Sequence, residues 1–553
     1  MSLKPQDSYV VPQDTAEVAR AIFPDGNLYL QMYDTFGTLF QDEDFAALFP
    51  QDGQPAEAPF RLMLVLILQF LENLADRQAA DAVRTRIDWK YLLCLKLTDS
   101  GFHYSVLSEF RARLLKGDVE QVLFEKILAC FRDKDLLQGY KQQRTDSTHI
   151  LGAIRAVNRL ELVGETIRRA LNTLAVAAPE WMRANSQPDW IDRYGDRVED
   201  ARLPKSETKR ESLAEEMGAD GLTLFNSLFE SSAPTWLREL PAIKTLWRVW
   251  IQNFTWQEEG RLRWRIDDEI PPSAVFISSP YDEGAHYSKK RSTSWVGYKV
   301  HLTETCTEDA PHLITHVETT AATTTDNDMT LDIQMDLKAI NLLPQVHLVD
   351  LGYIDAEILV TSQDEYGVDL VGPAKGDYRW QARSGEGFAA ENFRVDWQLQ
   401  RVTCPANKES ISWTPAFDNR KLEVIKIKFS RKDCAPCQFR PKCTHAKKSP
   451  RRTITLRSQR QYQAQLAARE REKTVAFKKL YARRAGVEGT ISQGVRSFDL
   501  RRTRYIGLAK THLQHLLIAM AMNLVRAVRW ISGEKLAITR QSAFAKLHQP
   551  VVA

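Results

Sequence analysis

Residues 141–150 read KQQRTDSTHI, and residues 345–350 read QVHLVD. The first run is polar but β-capable and short enough for a single strand. The second is apolar and predicts a buried strand that ends on a carboxylate. Further strand-like runs fall at residues 294–303, 312–319 and 368–371, and helical patterns at 326–340 and from 355 onward. Alternation of strand and helix predicts an α/β core. Working outward, residues 1–140 carry apolar residues at three- and four-residue spacing and predict an all-α N-terminal domain. The core begins at 141 and runs to 372, with a largely helical insertion at about 153–275. Within that insertion, 185–221 is rich in Pro, Gly, Ser and charge and predicts exposed loops. Residues 373–456 predict a β-rich, Cys-containing insertion. Residues 457–533 predict basic helices that complete the core, and 534–553 a tail.

Two carboxylates fall where carboxylates are costly. Asp146 sits inside one predicted strand and Asp350 closes another. Desolvating an unpaired charge is expensive, so an acid in such a place is usually paired or coordinates a metal. A third acid, Glu488, lies on the helix-prone segment 481–488, YARRAGVE. Three carboxylates suit phosphoryl transfer on DNA, in which two divalent ions activate the attacking oxygen and stabilise the leaving one. Mg²⁺ takes oxygen ligands and keeps several waters, so a few carboxylates suffice. Taken singly, Asp146 also reads as a strand-end acid, Asp350 as a turn residue and Glu488 as a solvated helix acid. Asp326 and Asp328 read as caps before a helix, and Asp355 as a first-turn acid.

The elements RTDSTH (144–149), LVDLGY (348–353) and Tyr481-x2-Arg484-x3-Glu488 occur in that order. Together they resemble the signature of bacterial insertion-sequence DDE transposases, in the group whose third acid lies in a Tyr-x2-Arg-x3-Glu-x6-Lys pattern. The terminal Lys position holds Val495 here, and Arg496 beside it is the candidate for the phosphate-contacting role. The runs SKKRSTSWVGYKVHLTET (288–305) and RRTRYIGLAKTHLQHLLIAMAMNLVRAVRW (501–530) are similar to the same family, so the resemblance spans about residues 60–530. It implies a ribonuclease H-like core with the first Asp on the first strand, the second just after the fourth strand and the Glu on a following helix. It also implies that Asp146, Asp350 and Glu488 bind two Mg²⁺ (or Mn²⁺) ions, while Tyr481 and Arg484 position DNA. The partners implied are double-stranded DNA, as terminal inverted repeats and as target, and a second copy of the chain on that DNA.

The rest of the chain supports the same reading with weaker signals. The chain has 553 residues and a formal net charge of only +4, but the charge is unevenly spread. Residues 1–60 hold ten acids against two bases, and residues 438–484 hold fifteen bases against two acids. That asymmetry predicts a local footprint for a polyanion. Lys447, Lys448, Arg451, Arg452, Arg457 and Arg460 are the candidate DNA contacts, with a solvated charged face as the alternative. Trp380, Trp397 and Trp413 read as core residues of the insertion, with stacking on an unpaired base as the alternative. The N-terminal helices read as a DNA-binding domain of helix-turn-helix type or as an ordinary packing domain. Cys404, Cys434, Cys437 and Cys443 match a tetrahedral structural zinc site in their spacing, C-x2-C-x5-C with one Cys upstream; reduced thiols in a small insertion are the alternative. No run is long and apolar enough for a membrane span, and the N-terminus lacks a signal-peptide pattern, so a cytoplasmic location is expected. The expected activity is metal-dependent cleavage at the ends of a mobile element followed by strand transfer. The alternatives are a related nuclease that does not rejoin, and a DNA-binding protein that has lost catalysis.

Overall fold

The sheet at the centre is built on the strand that carries Asp146. In the computed structural model, which describes residues 2–5, 8–257, 262–419, 421–534 and 544, that strand is β1 (Gln142–Leu151). It is followed by β2 (His286–Lys290), β3 (Thr293–Thr305), β4 (Ile314–Ala321), β5 (Val346–Leu348) and β6 (Asp369–Val371). The spatial order is β2-β3-β1-β5-β6, with β4 also paired to β3. β1 runs antiparallel to β3 and parallel to β5, and β5 runs parallel to β6. This is a mixed, ribonuclease H-like core. β1 is buried almost continuously from Gln143 to Thr148, because both faces of the sheet are covered.

One apolar cluster joins three parts of the chain. Phe60–Phe70 of the helix Pro59–Leu71, and Phe124 and Phe131 of the helix Glu120–Asp133, meet Tyr298, Val300 and Leu302 of β3. Leu513, Leu516, Leu517, Leu524 and Val528 of the C-terminal helix (Leu508–Ile531) pack into the same cluster. The N-terminal helices thus share their core with the sheet. The helices between β1 and β2 form a second cluster around Leu162, Val163, Leu228, Leu246 and Trp250. A three-stranded antiparallel sheet (Ser410–Phe417, Glu423–Phe429 and Thr453–Leu456) anchors a third around Phe393, Ile427, Phe429 and Ile454. Among the described residues, no helix is long and apolar enough to cross a membrane. All but one of the residues expected in the 534–553 tail, beyond 534, lie outside the described residues.

One sequence expectation changes. The stretch 185–221 is not all loop: helices Trp190–Tyr194 and Glu207–Phe229 occupy much of it. The glycine that suggested a loop has another cause. A Cβ on Gly221 would lie 2.4 Å from the Trp250 ring, so the glycine admits an aromatic ring against a helix backbone. The helix Ser105–Gly117 ends on its glycine, and left-handed Asp118 makes the turn that follows.

A buried carboxylate ties the sheet to the helices behind it. Register places Glu304 of β3 directly opposite Arg144 of β1. Glu304 is fully buried, and its Oε1 accepts from Arg144 Nε at 2.7 Å. Its Oε2 accepts from Arg526 Nη1 of the C-terminal helix at 2.9 Å and from Thr490 Oγ1 at 2.6 Å. Arg144 Nη1 also reaches the Arg483 carbonyl at 2.5 Å. Burial pushes the Glu304 carboxyl up, but Arg526, Arg144 and Thr490 outweigh it and hold it below the ordinary value. Removing one partner from such a network strands buried charge. Glu304→Ala should therefore cost about 3–5 kcal/mol of stability, far more than an exposed ion pair. Urea unfolding of wild type and variant side by side checks this, and an unchanged midpoint would refute it.

Candidate active site

Strand pairing brings two of the three acids together. Arg144 of β1 pairs with Leu348 of the parallel strand β5. Asp146 and Asp350 each lie two residues further along, so both reach the same edge of the sheet. Asp350 does not close its strand as expected. β5 ends at Leu348, and Asp350 caps a 3₁₀ turn, its Oδ1 accepting from Gly352 N at 2.7 Å. The capped turn holds the carboxylate just beyond the strand end. Asp146 is 9% exposed, and its Oδ1 accepts from Ser147 N at 2.8 Å.

Glu488 enters from the first turn of the helix Gly486–Ser497. Tyr481, Arg484 and Glu488 do not share one unbroken helix. Tyr481 lies in the last turn of the helix Val475–Ala482, Arg484 sits in a 3₁₀ turn (Arg483–Ala485), and Glu488 lies in the next helix. The Arg144 guanidinium crosses the chain at this break. A Cβ on Gly486 would lie 2.0 Å from Arg144 Nη1, so only glycine admits that crossing.

Arg484 joins the three acids. Its Nη2 lies 2.6 Å from Asp146 Oδ2 and 3.9 Å from Asp350 Oδ2, and its Nη1 lies 2.6 Å from Glu488 Oε1. The Arg484 side chain is 12% exposed, so this is not merely a surface pair with Glu488. Burial pushes the Asp146 carboxyl up to about 6, and Asp350 adds to the rise, while Arg484 and the Ser147 amide oppose it. Tyr481 stacks on Phe477 at 5.4 Å and packs beside Leu348 and Val371; burial raises its hydroxyl pKa.

Sequence reasoning missed several neighbours. Asp326 is not a cap: its Oδ1 accepts from Ser147 Oγ and Lys299 Nζ, both at 3.0 Å. Burial pushes Asp326 up, but Lys299 outweighs it and holds the carboxyl low. A Cβ on Gly352 would lie 2.9 Å from oxygens of both Asp326 and Asp350, so these two acids flank one glycine. Asp328 does cap, accepting from Thr325 N at 3.1 Å, and Asp355 is the N-cap of its helix rather than a first-turn acid. Arg501 Nε donates to Thr148 Oγ1 at 2.9 Å, on the strand face that carries Asp146. The signal for Arg501 was its place in the basic run 501–504. His149 points the other way and packs on Trp295.

As they stand, no three His, Cys, Asp or Glu among the described residues converge closely enough to hold a metal ion. The donor set nevertheless suits one. Three carboxylates surround a cation, the Arg484 guanidinium, and hard oxygen donors favour divalent ions such as Mg²⁺.

A family model described as "Transposase DDE domain" matches residues 403–528, which include the Glu488 helix. A second, described as "Transposase domain (DUF772)", matches residues 17–113 in the N-terminal helices. The chain belongs to the insertion-sequence DDE transposases. A comparison with curated proteins returns no match. Asp146 and Asp350 of the transposase lie between the two matched regions.

The expected DNA contacts of the transposase do not share one environment. Lys447, Lys448 and Arg496 are exposed, and Arg451 is half-buried. Arg457 is ion-paired to Asp418 at 3.3 Å, and Arg460 is ion-paired to Asp364. Arg452 is a correction. It is 5% exposed and donates to the carbonyls of Cys443 and Phe388, because the third apolar cluster closes over it. Trp397 and Trp413 pack edge to face at 5.3 Å, and Trp380 stacks on His445 at 3.9 Å.

Gly486→Ala should displace Arg144 and loosen the Arg484–Glu488 segment. An overpacking cost of about 1–3 kcal/mol is expected. Hydrogen exchange should quicken across residues 483–490, and unchanged exchange there would refute the crossing as the reason for the glycine.

Proposed function

We propose that this transposase cuts DNA at the ends of an insertion sequence and joins the freed ends to target DNA. The observation that carries the reading is the meeting of Asp146, Asp350 and Glu488 around one half-buried cation, Arg484, on the sheet edge of a ribonuclease H-like core. Asp146, Asp350 and Glu488 would hold two Mg²⁺ or Mn²⁺ ions. When bound, such ions activate the attacking oxygen and stabilise the leaving one in phosphoryl transfer.

In the first step a water oxygen bonds to the phosphorus at the element end. The P–O3′ bond breaks and the 3′ oxygen leaves as a hydroxyl. In the second step that 3′ oxygen bonds to a target phosphorus and the target's own 3′ oxygen leaves with a proton. The second exchange conserves the number of phosphodiesters, so no energy source is required.

The chain's own residues hold the DNA. Arg484 offers a planar donor fork suited to a phosphate once its carboxylates are engaged elsewhere. Tyr481 walls the β5 side, Arg501 stands along the Asp146 face, and the charge of Lys290 is felt at Asp146. Exposed Lys447, Lys448 and Arg496 extend the positive surface, so affinity should fall with salt. Two element ends must be held together, which calls for two copies of the chain on DNA.

The test is an assay on labelled DNA bearing the inverted repeats that flank the gene, with Mg²⁺ or Mn²⁺. Wild type should cut and join. Asp146→Asn and Glu488→Gln should lose both by on the order of 10³-fold or more while still binding the ends. Cutting without joining would make the protein a nuclease. Specific binding with no cut in any metal would overturn the catalytic reading.

A further inference from the structure

Four cysteines that the DNA chemistry does not use come together in the β-rich insertion. Cys404 follows the short strand Arg401–Thr403, in a tight turn closed by left-handed Asn407. Cys404 N donates to the Lys408 carbonyl at 2.9 Å, and Lys408 N donates back to Cys404 Sγ at 3.4 Å. Two single helical turns, Arg431–Cys434 and Arg440–Cys443, deliver Cys434 and Cys443, with Cys437 between them. All four side chains line one cavity of about 30 Å³, walled by Phe388, Phe393, Phe429 and Phe439. That volume is enough for a water-sized occupant, and the walls are apolar. All four thiols are free.

The decisive neighbour is Arg452. Its guanidinium is buried over the Phe393 ring, donates only to the carbonyls of Cys443 and Phe388, and leaves Nε without a partner. Among the described residues it makes no ion pair with any carboxylate. A buried cation without an anion is costly. The Arg452 backbone opposes the rise of the Cys434 thiol, and the Lys408 amide donates to Cys404 Sγ. Four thiolates around a divalent ion carry a net charge of −2, which places an anion beside Arg452, on which Asp377 acts only from beyond ion-pair distance. Soft sulfur donors in a tetrahedral set select zinc.

We infer that Cys404, Cys434, Cys437 and Cys443 form a structural zinc site, with Arg452 as its buried counter-charge. The four sulfurs line the cavity without converging to ligand distance. Binding therefore draws them inward to about 2.3 Å from the ion and releases their protons. The site staples together the insertion that feeds, through Thr453–Leu456 and the helix Gln459–Glu472, into the segment bearing Arg484 and Glu488. Its place within the insertion makes it independent of the carboxylate centre.

The test uses the full chain, purified without chelator or metal-affinity resin. Elemental analysis should find about one zinc per chain. Native alkylation should leave four cysteines protected until chelator is added, and mass spectrometry should map the protection to residues 404, 434, 437 and 443. Titration of the metal-free reduced protein with Co²⁺ should give the intense visible bands of a tetrahedral thiolate site, saturating at one equivalent. Arg452→Leu should release zinc to a chelator at least tenfold faster. Cys434→Ser/Cys437→Ser should carry no zinc, whereas Asp146→Asn should keep it. Zinc-free wild type with four freely alkylated cysteines and no Co²⁺ spectrum would overturn the inference. So would zinc retained in the double serine variant or lost in Asp146→Asn.

Discussion

The carboxylate of Glu304, clamped between Arg144 and Arg526, is the constraint on which the rest depends. It lies two register positions from Asp146, since Arg144 and Glu304 face each other two residues before Asp146 along β1. Through Arg144 it reaches the Arg483 carbonyl, and through Thr490 it reaches the Glu488 helix. A charge buried this deeply tolerates only one arrangement of its partners, because each displaced partner leaves an unsatisfied group in a medium that solvates it poorly. The sheet and the helix that supply the acids are thereby locked at a fixed spacing by residues that are not themselves proposed to touch DNA.

On that frame, Asp146, Asp350 and Glu488 gather around a cation the protein provides. Burial makes a free carboxylate at Asp146 unfavourable, and Asp350 worsens it. Arg484 relieves both with a single positive charge shared three ways. An ion of higher charge density would satisfy the same acids better and free the guanidinium for a phosphate. Protein cation and metal thus compete for one set of oxygens, and the same residues serve the resting protein and the proposed reaction.

The sheet was legible where the strands are apolar or alternate cleanly. β3, β4, β5 and β6 stood out in this way and β1 as a short polar run of β-capable residues, and the α/β core follows from them. β2, reading HYSKK, was not legible because it is an exposed hairpin strand without apolar alternation. The three acids were legible from their motifs, although their exact settings were not. Asp350 falls beyond its strand because the turn at Gly352 captures its carboxylate, and the helix breaks before Glu488 because Arg144 passes over Gly486. Both depend on contacts between residues more than 100 positions apart or on a single turn, which periodicity does not encode. Arg452 was misassigned for a related reason. In sequence it belongs to a basic run, but the neighbouring residues Ile454 and Leu456 carry its strand into an apolar core.

The most direct test of the account is the position of a divalent ion in crystals of the full chain grown with Mn²⁺, read from anomalous scattering. The account predicts a manganese peak against the carboxylates of Asp146 and Asp350, with Arg484 moved off Asp146. No manganese at that sheet edge, with Arg484 still bridging the three acids at saturating Mn²⁺, would contradict it.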